Sequence, residues 1–199
     1  MLRFIFDLDG TITTAETLPV IAGYFHMEKD MKGLTDAAVA GGIPFIESFI
    51  KRVHIMAKLP VDEIDALLEM TPMYPEILKF IREHRTQCMI ATGNLGCWVK
   101  KLCTKAGCIA YTSQAEIENN QVVRLKNILR KEHIVKRYQS AGDKVVMIGE
   151  GNNDLEAMRQ ADISIASGLT HNPAGSVLGI ADYVIYKEEA LCRQLNQLL

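Results

Sequence analysis

Along the chain, short unbroken apolar runs alternate with longer stretches whose apolar positions recur every three or four residues. Residues 2–8 are apolar and β-prone apart from Arg3 until they reach Asp7, the pattern of a strand buried on both faces. Cys88-Met89-Ile90-Ala91, Val145-Val146-Met147-Ile148 and Ile163-Ser164-Ile165-Ala166 have the same character, and Asp182-Tyr183-Val184-Ile185-Tyr186 reads as a less regular fifth. Helical periodicity fills the intervals near 75–84, 95–106, 127–140 and 153–160. Doubly buried strands separated by helices predict an α/β fold built on a parallel sheet.

Residues 15–74 break this alternation and carry helical patterns alone, with short connections typical of a helical bundle. Pro44 and Pro60 stand where helices would start, because a proline in the first turn gives up only an unneeded N–H. Thr71-Pro72-Met73-Tyr74-Pro75 reads as a return linker. The expected organisation is therefore an α/β core, 1–14 and 75–199, with an all-helical cap, 15–74, inserted after the first strand. Between Ala115 and Leu125 a loose alternation around Asn119-Asn120 predicts a short hairpin.

Composition narrows the class. With 48% hydrophobic residues in 199 the chain can bury a core and is not a disordered sequence. The net charge is −2 and the basic residues are scattered, which argues against a nucleic-acid partner. The five cysteines are odd in number and none are spaced Cys-x-x-Cys, so reduced thiols in a cytoplasmic protein fit better than disulfides or a zinc site. The N-terminal apolar run is too short for a signal peptide. No run approaches the ~18 apolar residues that span a bilayer, so no membrane partner is expected. Oligomeric state is left open.

The chemistry concentrates at strand ends. Asp7 and Asp9, in Asp7-Leu8-Asp9-Gly10-Thr11, project to one side of an extended backbone and can address one site. In open α/β sheets that position, beyond the carboxyl end of a strand, is where ligands bind. One carboxylate can attack phosphorus while the other serves as acid and base; the alternative is two solvated aspartates in a turn. Glu150-Gly151-Asn152-Asn153-Asp154 follows the strand ending at Gly149 and opens on the same edge if the sheet is parallel. Carboxylates converging from two strand ends make an oxygen-only site suited to Mg²⁺, although Asn153 or Asp154 could instead cap the next helix. Thr92-Gly93-Asn94 ends a third strand and offers a hydroxyl and N–H groups to phosphate, or is a plain helix entry.

These three segments, in this order and at these separations, resemble motifs of the haloacid dehalogenase superfamily, and the helical insert resembles the cap of its phosphoserine phosphatase-like branch. The resemblance covers essentially the whole chain. It implies a Rossmann-like core and a Mg²⁺-dependent phosphomonoester hydrolase acting on phosphoserine or a similar small phosphorylated metabolite. Asp7 would form an aspartyl-phosphate, and Asp9 would be the general acid and base, steadied by Thr11. Asp7, the Asp9 carbonyl and Asp154 would hold the metal, with Glu150 joining directly or through water. Thr92 and Gly93 would hold phosphate oxygens, with Asn94 and Asn153 beside the substrate. Lys131 best matches the family's charge-neutralising lysine, with Lys126 as runner-up. Glu16 matches a glutamate that holds a substrate ammonium. Arg52, within roughly 20° of Phe45 and Met56 around a helix, matches an arginine that holds a substrate carboxylate. Their alternatives are a first-turn glutamate and a snorkelling arginine. Four features depart from that branch: Gly10, Asn94, Glu150 and the segment Ser167–Pro173. Rival readings are a phosphatase for another small metabolite, a catalytically impaired phospho-ligand binder, and an aspartate-phosphorylated signalling protein.

Overall fold

The computed structural model describes residues 1–29, 31, 33–34 and 44–199. The helical character read from the sequence for residues 30, 32 and 35–43 lies outside the described residues. The chain runs β1 (Leu2–Phe6), α1 (Thr17–Tyr24), α2 (Phe45–Met56), α3 (Val61–Glu69), α4 (Pro75–Glu83), β2 (Cys88–Leu95) and α5 (Lys100–Ala106). It continues through β3 (Ile109–Glu118), β4 (Gln121–Asn127), α6 (Lys131–Ser140), β5 (Lys144–Gly149), α7 (Leu155–Gln160), β6 (Ile163–Ser167), α8 (Gly175–Leu178), β7 (Tyr183–Ile185) and α9 (Glu188–Leu198).

The strands form a seven-stranded sheet in the order β4-β3-β2-β1-β5-β6-β7, with every neighbouring pair parallel except β3 and β4. This is the α/β, Rossmann-like architecture expected from the sequence. The central strand β1 pairs with β2 through Phe4↔Cys88 to Phe6↔Ile90 and with β5 through Leu2↔Lys144 to Phe6↔Ile148. The chain builds outward from β1 on one side and then returns to build on the other. The crevice beyond Phe6 is thus a topological switch point, where the chain leaves the neighbouring strands β1 and β5 in opposite directions across the sheet.

Successive side chains of β1 enter two cores. Phe4 and Phe6 join Phe80 and Ile81 of α4, with the Phe4 and Phe80 rings edge to face at 5.2 Å, while Ile5 packs with Met89, Val145, Met147 and Val135 on the other face. All of these side chains are buried. Pro75 occupies the first turn of α4, and Pro44 and Pro60 immediately precede α2 and α3.

Two elements differ from the sequence reading. The expected short hairpin is longer, and the first half of β3 is a sheet strand parallel to β2, from Met89↔Ile109 to Leu95↔Ser113. Ile109 to Thr112 are exposed or half-buried, so no apolar run marks the strand. The helices expected from 95 and 127 begin at Lys100 and Lys131, after short connections that follow the ends of β2 at Leu95 and β4 at Asn127. Asn119 and Asn120 both have positive φ, 48° and 64°, the geometry of a tight hairpin turn that asparagine tolerates.

Among the described residues, several contacts fix the segment between β1 and α4. The hairpin turn receives it: Asn120 O accepts from Val61 N (2.9 Å), and Val122 N donates to Ala57 O (3.0 Å). Asp65 of α3 accepts from Lys101 N at the start of α5 (2.9 Å). The two crossing strands are joined by an antiparallel bridge, Thr13↔Met73, with Thr14 N donating to Pro72 O and Tyr74 N to Ile12 O, both 3.0 Å. Among the described residues no helix is long and apolar enough to cross a membrane.

Because Phe80 joins β1 to α4, Phe80→Ala is expected to lower unfolding free energy by about 3–5 kcal/mol. Urea denaturation would measure this, and a loss under about 1 kcal/mol would mean that the neighbouring side chains close the gap.

Candidate active site

Asp7 follows β1 directly, its N–H donating to Ile148 O of β5 at 2.8 Å. The residue is 2% exposed, and its Oδ1 accepts from Leu8 N (2.8 Å) and pairs with Lys131 Nζ (2.6 Å). Lys131 opens α6 and is equally buried, and its Nζ also meets Asp154 Oδ1 at 2.6 Å. Asp154 is fully buried, and its other oxygen accepts from the Glu150 and Gly151 N–H groups at 3.0 Å each. This approach demands glycine at position 149, where a Cβ would stand 2.5 Å from Asp154 Cγ.

One buried ammonium thus faces two buried carboxylates, and the cluster retains excess negative charge. Burial, and then the Asp154 charge, push the Asp7 carboxyl well above its usual range against the pull of Lys131. Burial alone would lower Lys131, but Asp154 and Asp7 more than reverse it and hold the ammonium protonated.

Asp9 is organised from the opposite side. Its Oδ1 accepts from the Thr17 N–H (2.8 Å) and hydroxyl (2.5 Å), and its Oδ2 accepts from Asn94 Nδ2 (3.3 Å). Thr17 is the first residue of α1, so Asp9 caps the entry helix of the insert. Asn94 Nδ2 also contacts the Thr17 hydroxyl, and Asn94 Oδ1 accepts from Leu95 N at 3.2 Å. Burial and the nearby Glu16 charge raise the Asp9 carboxyl, while the Thr17 and Asn94 donors oppose this.

The chain turns at Gly10 (φ 67°) and is pinned by Thr13, whose Oγ accepts from Gly10 N (3.2 Å) and donates to Ala15 O (2.8 Å). The support expected for Asp9 from Thr11 comes instead from Thr17. Thr11 Oγ1 is buried without a hydrogen-bond partner, because the turn at Gly10 returns Thr13 and Thr17, rather than Thr11, to the loop.

These groups border a cavity of about 80 Å³. Asp7, Asp9, Thr92, Gly93, Asn94, Glu150 and Asn153 line it from the strand ends, and Glu16, Leu18, Phe49 and Arg52 line it from the helical segment. Thr92 is 1% exposed and its Oγ1 accepts from Asn94 N (3.1 Å). The Gly93 carbonyl is held by the Ser113 hydroxyl at 2.6 Å. Arg52 is half-buried; its Nε makes a long hydrogen bond to Ser48 O (3.4 Å), and it forms no ion pair with a described residue. Burial lowers the Arg52 pKa, against the opposing charges of Glu16 and Asp9.

Beside the cavity His171 stands between two carboxylates. Its Nε2 is 2.9 Å from Glu16 Oε1 and its Nδ1 is 2.9 Å from Glu150 Oε2. Glu150, then Glu16, raise the imidazole to about 11. Glu150 is 7% exposed, and its Oε2 is buried and accepts no well-directed hydrogen bond. Burial raises the Glu150 carboxyl and the imidazole draws it back.

The sequence matches the family model described as haloacid dehalogenase-like hydrolase over residues 2–162. The chain belongs to the haloacid dehalogenase-like hydrolase family. It is similar to the phosphoserine phosphatase of Archaeoglobus fulgidus, 25% identical over 197 residues, with 92% of this chain and 56% of that protein covered. It is also similar to the phosphoserine phosphatase of Methanocaldococcus jannaschii, 25% identical over 175 residues, covering 81% of this chain and 83% of that one. The chain thus spans little more than half the length of the first of these relatives. Among solved structures, a phospho-aspartyl intermediate analogue of phosphoserine phosphatase superposes with a TM-score of 0.82 at 21% identity, over 100% of this chain and 98% of the other. That likeness is one of fold.

Within this family fold the geometry separates the residues singled out from the sequence. Asp7, Asp9, Thr92, Gly93, Asn94, Glu150, Asn153, Glu16 and Arg52 border one cavity. Lys131 and Asp154 stand behind it, whereas Lys126 lies exposed on β4. Asp154 is fully buried and engaged by Lys131 Nζ and the Glu150 and Gly151 N–H groups, whereas Glu150 lines the cavity wall. Asn94 directs its amide to Asp9 and Thr17. Sequence reasoning missed Thr17 and His171. A threonine following Glu16 at a helix start was the available signal for the first, and only the unusual segment Ser167–Pro173 marked the second.

Lys131→Met would leave the buried Asp7 and Asp154 facing each other without their shared cation. The expected loss of stability at neutral pH is about 3–5 kcal/mol. Carboxyls whose folded pKa is raised stabilise most below the unfolded carboxylate range and lose that contribution as pH rises. The deficit of the variant should therefore shrink on acidification, as read by denaturation at several pH values. A deficit independent of pH would contradict the charge balance described here.

Proposed function

We propose that the chain is a Mg²⁺-dependent phosphomonoester hydrolase that works through an aspartyl-phosphate on Asp7, acting on phosphoserine or a similar small phosphorylated metabolite. The observation that carries this reading is the buried Asp7–Lys131–Asp154 contact at the end of β1, opening on a cavity that also holds Asp9 and Thr92. A lysine fixed on one oxygen of Asp7 orients the carboxylate and leaves Oδ2 open towards an incoming phosphoryl group. The likeness to phosphoserine phosphatases supports the same chemistry.

The donor set suits a hard divalent ion. Asp7, the main chain of Asp9 and Glu150 offer oxygens alone; Glu150 Oε2 faces His171 Nδ1 at 2.9 Å, so its other oxygen is the one for an ion. Asp154 acts in this arrangement by positioning Lys131 and the loop that carries Glu150. Bound there, Mg²⁺ would supply charge neutralisation between the Asp7 carboxylate and the phosphate dianion.

The reaction has two displacements. An oxygen of Asp7 bonds to phosphorus as the ester P–O bond breaks, and Asp9 passes its proton to the departing alcohol oxygen. Asp9, now a carboxylate, takes a proton from water as the water oxygen bonds to phosphorus. The bond to Asp7 then breaks, releasing inorganic phosphate. The raised Asp9 carboxyl suits the acid role. Thr92 and the Gly93 backbone would hold equatorial oxygens, where stabilisation of phosphoryl transfer is mostly achieved. Thr17 couples the acid to the insert, so closure of the helical cap over core residues 1–14 and 75–199 and alignment of Asp9 are one event.

The test is hydrolysis of a panel of phosphorylated metabolites with Mg²⁺, phosphoserine included, beside Asp7→Asn. The wild type is expected to turn over members of the panel and the variant to lose about a thousandfold or more. An Asp7→Asn protein as active as wild type would sink the covalent mechanism. Arg52→Ala is expected to impair phosphoserine hydrolysis by about tenfold or more, through loss of a charged fork, and p-nitrophenyl phosphate far less. Equal losses on both would remove Arg52 from substrate recognition.

A further inference from the structure

The charged groups around the cavity are partnered unequally. Asp7 is held by Lys131, Asp9 by Thr17 and Asn94, and both Glu150 and Glu16 by the His171 ring. Arg52 has no carboxylate partner among the described residues. The single carboxylate that the described helical segment brings to the cavity wall is therefore already engaged, while its guanidinium is not.

The His171 contact is built into the fold. Thr170 Oγ1 donates to Thr13 O (3.3 Å) and meets Tyr74 OH (3.1 Å), so the loop is attached to both strands that cross between sheet and insert. On its other side Ala174 N donates to Glu150 O at 2.8 Å. The His171–Glu16 pair lies against the bare backbone of Gly10. A Cβ there would stand 3.0 Å from Glu16 Oε1 and 3.2 Å from His171 Nε2. Gly10 and the segment Ser167–Pro173, through its His171, are two of the features that set this sequence apart, and they meet at one contact.

We infer that His171 is a specificity-determining residue: its ring occupies Glu16, so the cavity selects small phosphomonoesters whose second polar group is an anion and gains nothing from a substrate ammonium. The inference rests on the hydrolase reading and narrows it. An ammonium reaching Glu16 must displace the imidazole and exchanges one charge-assisted hydrogen bond for another. A carboxylate reaching Arg52 displaces no carboxylate of the described residues and meets a partly desolvated fork.

The test compares phosphoserine with 3-phosphooxypropanoate, the same molecule without its amino group. Binding of each to the Asp7→Asn protein with Mg²⁺ is measured by calorimetry. The two are expected to bind within about threefold, or the deaminated compound more tightly. Adding His171→Ala should tighten phosphoserine by about tenfold and leave the other compound nearly unchanged. Adding His171→Gln, which keeps a side-chain N–H, should preserve the original ratio. If His171→Ala fails to fold, Glu16→Gln on the same background decides, with phosphoserine affinity expected to hold. A preference for phosphoserine above about tenfold before any change at 171 would overturn the inference. So would equal shifts of both compounds in His171→Ala, or a tenfold loss of phosphoserine in Glu16→Gln. Turnover of p-nitrophenyl phosphate by the native protein is followed separately. Its absence would overturn the hydrolase reading, while the binding ratios still decide the role of His171.

Discussion

The molecule is organised around one ammonium group shared by two buried carboxylates. Lys131 holds Asp7 and Asp154 at 2.6 Å each, which joins β1, the loop after β5 and the start of α6 at a single point. Ion pairs sealed from water gain little net stability over apolar packing, yet removing one partner is costly. Such a contact is better understood as a device for position. It fixes the Asp7 carboxylate through Oδ1, and it holds the Glu150 loop against the strand ends.

The rest of the site follows from that anchor. With Asp7 rigid, the second aspartate can be attached to the insert through Thr17, so that one carboxylate belongs to the sheet and the other answers to the helices. The segment carrying His171 closes the arrangement by contacting Glu150 from the sheet side and Glu16 from the helical side. Asp9, the helical wall of the cavity and the Glu150 loop are thereby connected through side chains rather than through one continuous element.

Much of this was legible in the sequence because it is local. Apolar runs ending at Asp7, Thr92 and Gly149 revealed three strands, and a parallel sheet necessarily gathers their ends on one edge. The spacing of Asp7 and Asp9 could be read at short range. The opening half of β3 was hidden because its residues are exposed or half-buried and carry no apolar run. Contacts made between distant segments were hidden for a different reason. Glu16 and His171 are 155 residues apart, and no pattern at either position refers to the other. Thr17 displaced Thr11 as the support for Asp9 because the backbone turn at Gly10 decides which hydroxyl returns, and that turn is a property of three dimensions.

The central claim is that Asp7, held by Lys131, becomes transiently bonded to phosphorus. It is tested most directly by acid-quenching the protein during turnover of a ³²P-labelled phosphomonoester and mapping the label by peptide mass spectrometry. The label is expected on the carboxylate of Asp7. Label on Asp9 instead, or none on the protein while inorganic phosphate accumulates, would contradict the account.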